Sequence, residues 1–238
     1  MIDAVEKTNE GTLLSGIDLH KRFRGSVALD GLNVEVRGGE VVAVLGPSGS
    51  GKSTLLLCLA GIIAPDDGEV RYRGRTLGSL PDATLTRLRR DEFGFVFQFG
   101  QLVMELTAME NVSLPLRLAG LRRADAYARA REWLGRLGVE DVAEKRAGEM
   151  SGGQSQRVAV ARALVTGPRV IFADEPTGSL DSLNGELVME LLVSAARDQG
   201  TTVVLVTHEP IVAAYADREI VIRDGKVAPA KLLTPVMV

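Results

Sequence analysis

The run Gly46-Pro47-Ser48-Gly49-Ser50-Gly51-Lys52-Ser53 constrains this chain more than any other stretch. It fits the pattern G-x-x-x-x-G-K-[ST] at every fixed position, and Thr54 follows. Its flanks suit a strand, a tight loop and a helix. Val41-Val42-Ala43-Val44-Leu45 reads as a buried strand entering the loop, and Leu55-Leu56-Leu57-Cys58-Leu59 as a helix leaving it. Glycines let successive backbone N–H groups turn toward one anion, and the helix N-terminus adds partial positive charge. Lys52 is spaced to reach β- and γ-phosphates, and the Ser53 hydroxyl to join a Mg²⁺ shell. The stretch predicts an α/β fold built around a nucleoside triphosphate.

The length of 238 residues, 45% of them hydrophobic, allows one large α/β domain or two small ones. A formal net charge of −3 argues against nucleic acid as the main partner, since a phosphate backbone recruits a basic face. Local arginine clusters (Arg71, Arg73 and Arg75; Arg87, Arg89 and Arg90; Arg122 and Arg123) read as solvated faces. Cys58, the single cysteine, lies in the apolar helix after the loop and reads as a packed thiol. Met1 to Gly11 carries Asp3, Glu6 and Glu10, which does not fit a signal peptide. No apolar stretch approaches the ~20 residues of a membrane helix. A soluble cytoplasmic chain is expected, reaching any membrane through a partner.

Around the loop, periodicity suggests the layout. Ile17 to Arg37 reads as antiparallel β, because Leu32, Val34 and Val36 alternate with Asn33, Glu35 and Arg37. Gly38-Gly39 turns the chain into the loop strand, and Pro65-Asp66-Asp67-Gly68 marks a turn before Glu69–Arg73. Phe93 to Phe97 is a further short strand. From Ala124 to Leu137, Tyr127, Ala130, Leu134 and Leu137 share a helical face, with Gly138 as a stop; another helix runs from Gly153 to about Val165. Val170–Ala173 and Thr202–Val206 read as buried strands on either side of a helix from Asn184 to Arg197. Apolar runs separated by helices indicate a parallel sheet covered on both faces. Asp224-Gly225 joins two last strands as a hairpin.

Two further stretches carry chemistry. Asp174 and Glu175 follow the apolar run Val170–Ala173 and precede Pro176, so they stand at the end of a buried strand. An acid there is where Mg²⁺ is held beside a phosphate loop, which suits Asp174; Glu175 is then free to orient and deprotonate an attacking water. Met150-Ser151-Gly152-Gly153-Gln154 opens a helix and offers a second anion site at its N-terminus.

Together these residues resemble the nucleotide-binding subunit of ATP-binding cassette transporters, from roughly Ile17 to Val227. Gly46–Ser53 matches the Walker A loop, Ser151-Gly152-Gly153-Gln154 the signature motif and Val170–Glu175 Walker B. Ser179-Leu180-Asp181 matches the D-loop, His208 the switch histidine and Gln98, in Val96-Phe97-Gln98, the Q-loop. Phe23 falls where the family stacks an aromatic on adenine. Leu106–Val112 with Leu114-Pro115-Leu116, and Asp174–Asp181, resemble the lipoprotein-releasing, macrolide-export and bacitracin-resistance branch, to which a cell-division ATPase also belongs.

The resemblance implies a P-loop ATPase fold over 12–227, with a parallel β core, an antiparallel β subdomain, a helical subdomain at about 99–165 and a short tail at 228–238. It implies ATP and Mg²⁺ as cofactors and a head-to-tail dimer with ATP between the chains. Lys52, Ser53 and Thr54 of one chain would hold phosphates and Mg²⁺, while Ser151 and Gly153 of the other close on the γ-phosphate. Gln98 would sense the metal and water, and His208 would brace the γ-phosphate. The implied partner is an integral membrane permease that keeps the chain on the inner face of the membrane. A mechanical regulator of an envelope protein, without transport, is the alternative.

Several positions depart from the family pattern. Phe23 stands where tyrosine is commoner, Met150 replaces the usual leucine and Ser155 a longer polar residue. Gly100, Val103 and Met104 also differ from the branch. Gln98 to about Gly120, rich in Leu, Val and Met, is expected to carry the permease-docking groove, with Leu102, Val103, Leu106 and Val112 as candidates.

Overall fold

The computed structural model describes residues 11–228. The expectation for a C-terminal tail falls, past its first residue, outside the described residues, as does that for Met1–Glu10. The chain opens with two long antiparallel strands, β1 (Thr12–Phe23) and β2 (Ser26–Arg37). The alternation read from Leu32 to Arg37 is the observed one: Leu32, Val34 and Val36 are buried and their neighbours exposed. With β4 (Asp67–Tyr72) and β5 (Arg75–Thr76) they form a four-stranded sheet in the order β2-β1-β4-β5.

The central sheet has six strands. β3 (Val41–Leu45), β6 (Phe93–Phe97), β7 (Val170–Asp174), β8 (Thr202–Val206) and β9 (Arg218–Arg223) precede β10 (Lys226–Val227), in the order β10-β9-β3-β8-β7-β6. All its pairings are parallel except β9 with β10. The three central strands β3, β8 and β7 are apolar except at Thr202 and Asp174, because both faces are covered. Each divides its side chains between two cores. Val170, Phe172, Val204 and Val206 face α1 (Lys52–Leu59) and the antiparallel sheet. Ile171, Ala173, Val203 and Leu205 face a helical core with α3 (Ala108–Leu118), α4 (Arg123–Arg136), α5 (Gly152–Leu164) and α6 (Ser182–Gln199). Burial raises the pKa of the Cys58 thiol to about 11, so it is a packed group and not a nucleophile.

Asn111 is fully buried on α3, yet its polar atoms are satisfied. Its Nδ2 donates to the carbonyls of Val103, Leu106 and Thr107, and its Oδ1 accepts from Val103 N. One side chain thus shapes the turn leading into α3, whose start Thr107 and Glu110 close with a capping box. The sequence did not announce α2 (Asp82–Asp91). It has no fully buried residue, so the apolar periodicity that reveals a helix is weak there.

Candidate nucleotide site

The loop between β3 and α1 is wedged between two neighbouring strands. A Cβ on Gly46 would stand 2.2 Å from the carbonyl oxygen of Ile222, and one on Gly51 2.2 Å from that of Ala28. Both residues have positive φ, 154° and 104°, so backbone shape and close approach each demand glycine. Ser50 N donates to Pro47 O, and Ser50 O accepts from Gly225 N, which seats the loop against the last hairpin. Ser50 Oγ is buried and without a hydrogen-bond partner among the described residues.

α1 starts with no side-chain cap and no acid in its first turn. Its leading amides and positive dipole end are therefore uncompensated, which fits a polyphosphate. Lys52, only 8% exposed, folds over the loop and donates to the carbonyls of Gly46 and Pro47 at 2.9 and 3.0 Å.

β7 delivers Asp174 to the same place. Ser53 Oγ donates to its Oδ1 at 3.1 Å, so a hydroxyl and a carboxylate sit together as hard oxygen donors suited to Mg²⁺. Burial pushes the Asp174 carboxyl above its ordinary pKa, and the neighbouring charge of Glu175 adds to this; the Ser53 bond and Lys52 work the other way. The native state then holds the proton more tightly than the unfolded chain. Stability conferred by the protonated form is lost as pH rises from the unfolded pKa through the raised native one. Asp174→Asn should accordingly raise the melting temperature of the nucleotide-free protein at pH 7, by about 2–4 °C per kcal/mol of relief. The gain should shrink as pH falls toward 4. Melting curves across this range check it, and a parent that stays the more stable at pH 7 would count against the buried charge.

Glu175 follows in a left-handed conformation, φ 48°, with its N–H bonded to Val206 O at 2.9 Å. A non-glycine residue kept there is held by its surroundings. This turn sends the side chain to His208, whose Nδ1 lies 2.8 Å from Oε1. The other oxygen, Oε2, is buried and has no hydrogen-bond partner among the described residues. Glu209 adds a third polar side chain to the cluster. The pair thus combines an oriented carboxylate with one lone acceptor oxygen.

Among the described residues, the remaining expected ones make no side-chain hydrogen bond to Lys52, Ser53, Asp174, Glu175 or His208. Gln98 makes no side-chain hydrogen bond to Ser53 or Asp174 among the described residues: its Nε2 donates to Gly178 O at 3.2 Å, while its backbone carbonyl accepts from Ser179 Oγ at 2.7 Å. Asp181 caps α6, accepting from the backbone N–H and side-chain amide of Asn184; these bonds hold its carboxyl below the usual pKa. Phe23 is 47% exposed at the end of β1, with the Lys21 ammonium 5.6 Å from its ring centroid. Ser151 and Gln154 form a capping box at the start of α5. Gly153 packs so close to α6 that a Cβ would meet Asn184 Oδ1 at 2.7 Å. Among the described residues, no hydrogen bond joins Ser151–Gln154 to Gly46–Thr54. The N-terminal ends of α1 and α5 are thus separate within one chain.

The docking candidates divide. Val112 is fully buried, so it belongs to the core and is withdrawn as a contact residue; Leu102 and Leu106 are half-buried. The exposed apolar side chains of that segment are Phe99, Val103, Met104 and Leu118.

With this geometry in view, the likeness to known proteins is direct. The ABC transporter family model matches residues 29–178, more than half of the chain. The macrolide export ATP-binding/permease protein MacB of Salmonella paratyphi A is 48% identical over 199 residues, covering 84% of this chain and 31% of that protein. MacB of Escherichia coli K12 is 49% identical over the same length. The chain therefore spans about a third of the length of these relatives. Among solved structures, the dimeric ATP-binding cassette MJ0796 bound to ADP and Pi superposes with a TM-score of 0.85 at 40% identity, covering 91% of this chain and 97% of that one. CbiO1 from Clostridium perfringens, part of the ABC transporter complex cbiONQ, gives 0.83 at 32% identity, covering 92% and 88%. This chain belongs to the ABC transporter family, as an ATP-binding domain.

Proposed function

We propose that the chain binds ATP with Mg²⁺, hydrolyses it as a head-to-tail pair and powers an integral membrane permease working in export, extraction or resistance. The observation that carries this reading is the juxtaposition of Ser53 and Asp174, 3.1 Å apart beside Lys52, with the lone buried oxygen of Glu175 on the next residue.

The backbone amides of Gly46–Gly51, with Pro47, Ser48, Gly49 and Ser50 shaping the turn, and the Lys52 ammonium hold the β- and γ-phosphates; Thr54 extends the cradle into α1. Ser53 and Asp174 would hold Mg²⁺, which neutralises phosphate charge when bound. Phe23 stacks on the base, a contact worth about 1–3 kcal/mol that needs no hydroxyl. Glu175 accepts the proton of a water whose oxygen attacks the γ-phosphorus while the bond to the bridging oxygen breaks. His208 orients Glu175 through Nδ1 and braces the γ-phosphate. Gln98 links this centre to the segment that follows β6. Ser151, Gly152, Gly153 and Gln154 of a second copy close over the γ-phosphate, with Asp181 holding the adjoining turn.

Similarity to macrolide export proteins supports transport over a purely mechanical output. None of the helices among the described residues is long and apolar enough to cross a membrane. A cleft of about 470 Å³ between α2, β6, α3 and α5, lined by Phe95, Leu114, Pro115, Leu118 and Arg162 among others, is the surface offered to it. Lys52→Ala tests the nucleotide reading. Removing the cation that opposes the β/γ-phosphates should weaken ATP binding or turnover at least tenfold, by about 1.4 kcal/mol or more. Titration calorimetry and phosphate release with unchanged values would take Lys52 out of the site.

A further inference from the structure

Four of the five carbonyls in Phe97–Gln101 are held by side chains. Gln156 Nε2 donates to Phe97 O at 2.9 Å and Ser179 Oγ to Gln98 O at 2.7 Å. Arg162 spans the next two, with Nη2 on Gly100 O at 2.7 Å and Nη1 on Gln101 O at 2.9 Å. The stretch needs such holding. Gly100 and Gln101 are both left-handed, at φ 66° and 44°, and Gln101 has a Cβ that disfavours that shape.

Two of the three clamping residues sit on α5, the helix that Ser151 caps. Gln156 is 1% exposed. The Arg162 guanidinium is largely desolvated, and no carboxylate pairs with it among the described residues; burial pulls its pKa below the ordinary arginine value. A desolvated cation without a counter-charge is unfavourable unless its donors find acceptors, and here they find the two loop carbonyls. Its bonds, part-buried to Gly100 O and exposed to Gln101 O, are charge-assisted and stand beside that of the buried Gln156, whereas Gly178 and Ser179 offer two neutral, exposed bonds to Gln98. The attachment to α5 is therefore the stronger of the two.

We propose that Arg162 and Gln156 are positioning residues that bind Phe97–Gln101 to α5, so that Gln98 and Ser151 change place together. Arg162 also lines the cleft beside Leu118, which puts the clamp within reach of whatever occupies that cleft. The consequence for turnover rests on the ATPase reading above; the clamp itself does not.

Hydrogen exchange on the full chain, read by mass spectrometry, separates the two. Without nucleotide, Arg162→Gln should speed exchange across Phe97–Met104 about tenfold or more, while β7, β8 and the rest of α5 keep the parent rates; Arg162→Lys should fall between. With ATP and Mg²⁺, the parent should change exchange in Phe97–Gln101 and Ser151–Ser155 together, and Arg162→Gln only in the latter. If Arg162→Gln unfolds the sheet as a whole, the same comparisons are made on Arg162→Lys, which should show the smaller, local effect. Loop exchange unchanged without nucleotide, or responses to ATP that stay joined in the variant, would overturn the clamp. A parent that ignores ATP altogether would instead strike at the ATPase reading, leaving the nucleotide-free arm to judge the clamp.

Discussion

Glu175→Gln should lower ATP hydrolysis by about 10²–10⁴-fold and leave ATP binding at the parent level. Glutamine keeps the size of the side chain and an oxygen for the contact with His208 Nδ1, now 2.8 Å from Oε1. What disappears is the buried, unpartnered Oε2 as a proton acceptor. Because the left-handed turn at Glu175 is set by the backbone bond to Val206, the fold should not change. Phosphate release at saturating ATP and Mg²⁺, beside an equilibrium measurement of bound ATP, gives both numbers. Hydrolysis at the parent rate would remove Glu175 from its role as base.

Ser151→Arg should abolish hydrolysis for a different reason. It leaves the loop around Lys52 untouched but sets a long cation where the phosphate of a second copy would approach. Loss of the helix cap itself costs only about 1 kcal/mol, too little to unfold a chain of this size. The informative test pairs it with Lys52→Ala. Each variant alone carries a defect in both composite sites, yet a mixed pair has one composite site with both defects and one with neither. At equal mixing roughly a quarter of all sites should be intact, if two sites are shared across a twofold axis. Activity peaking at intermediate ratios is the expected curve. A mixture that never exceeds either variant alone would count against the shared site, unless one dead site blocks the other.

How much of this was legible in the sequence depends on what each residue touches. The strands Val41–Leu45, Val170–Asp174 and Thr202–Val206 were legible because burial on both faces makes all but their end residues Asp174 and Thr202 apolar. The phosphate loop was legible because close approach to Ile222 and Ala28 admits only glycine at Gly46 and Gly51. α2 was not, since a helix with no fully buried residue leaves little period to read. Val112 passed for a docking residue because apolarity alone does not separate a core face from an exposed one. Gln156 and Arg162 were missed for a further reason. Their bonds reach carbonyls 59 to 62 positions away, and a carbonyl leaves no trace in the residue type that bears it. Glu175 was read correctly as an acid at a strand end, while its left-handed turn and its bond to His208 belong to tertiary structure.

The central claim is that two copies of this chain enclose ATP between Ser151–Gln154 of one and Gly46–Ser53 of the other. The most direct measurement is the solution mass of Glu175→Gln, by light scattering on a sizing column, with and without ATP and Mg²⁺. The account predicts the mass of one chain, 25.4 kDa, without nucleotide and twice that with it. A mass of one chain while ATP is demonstrably bound would contradict it.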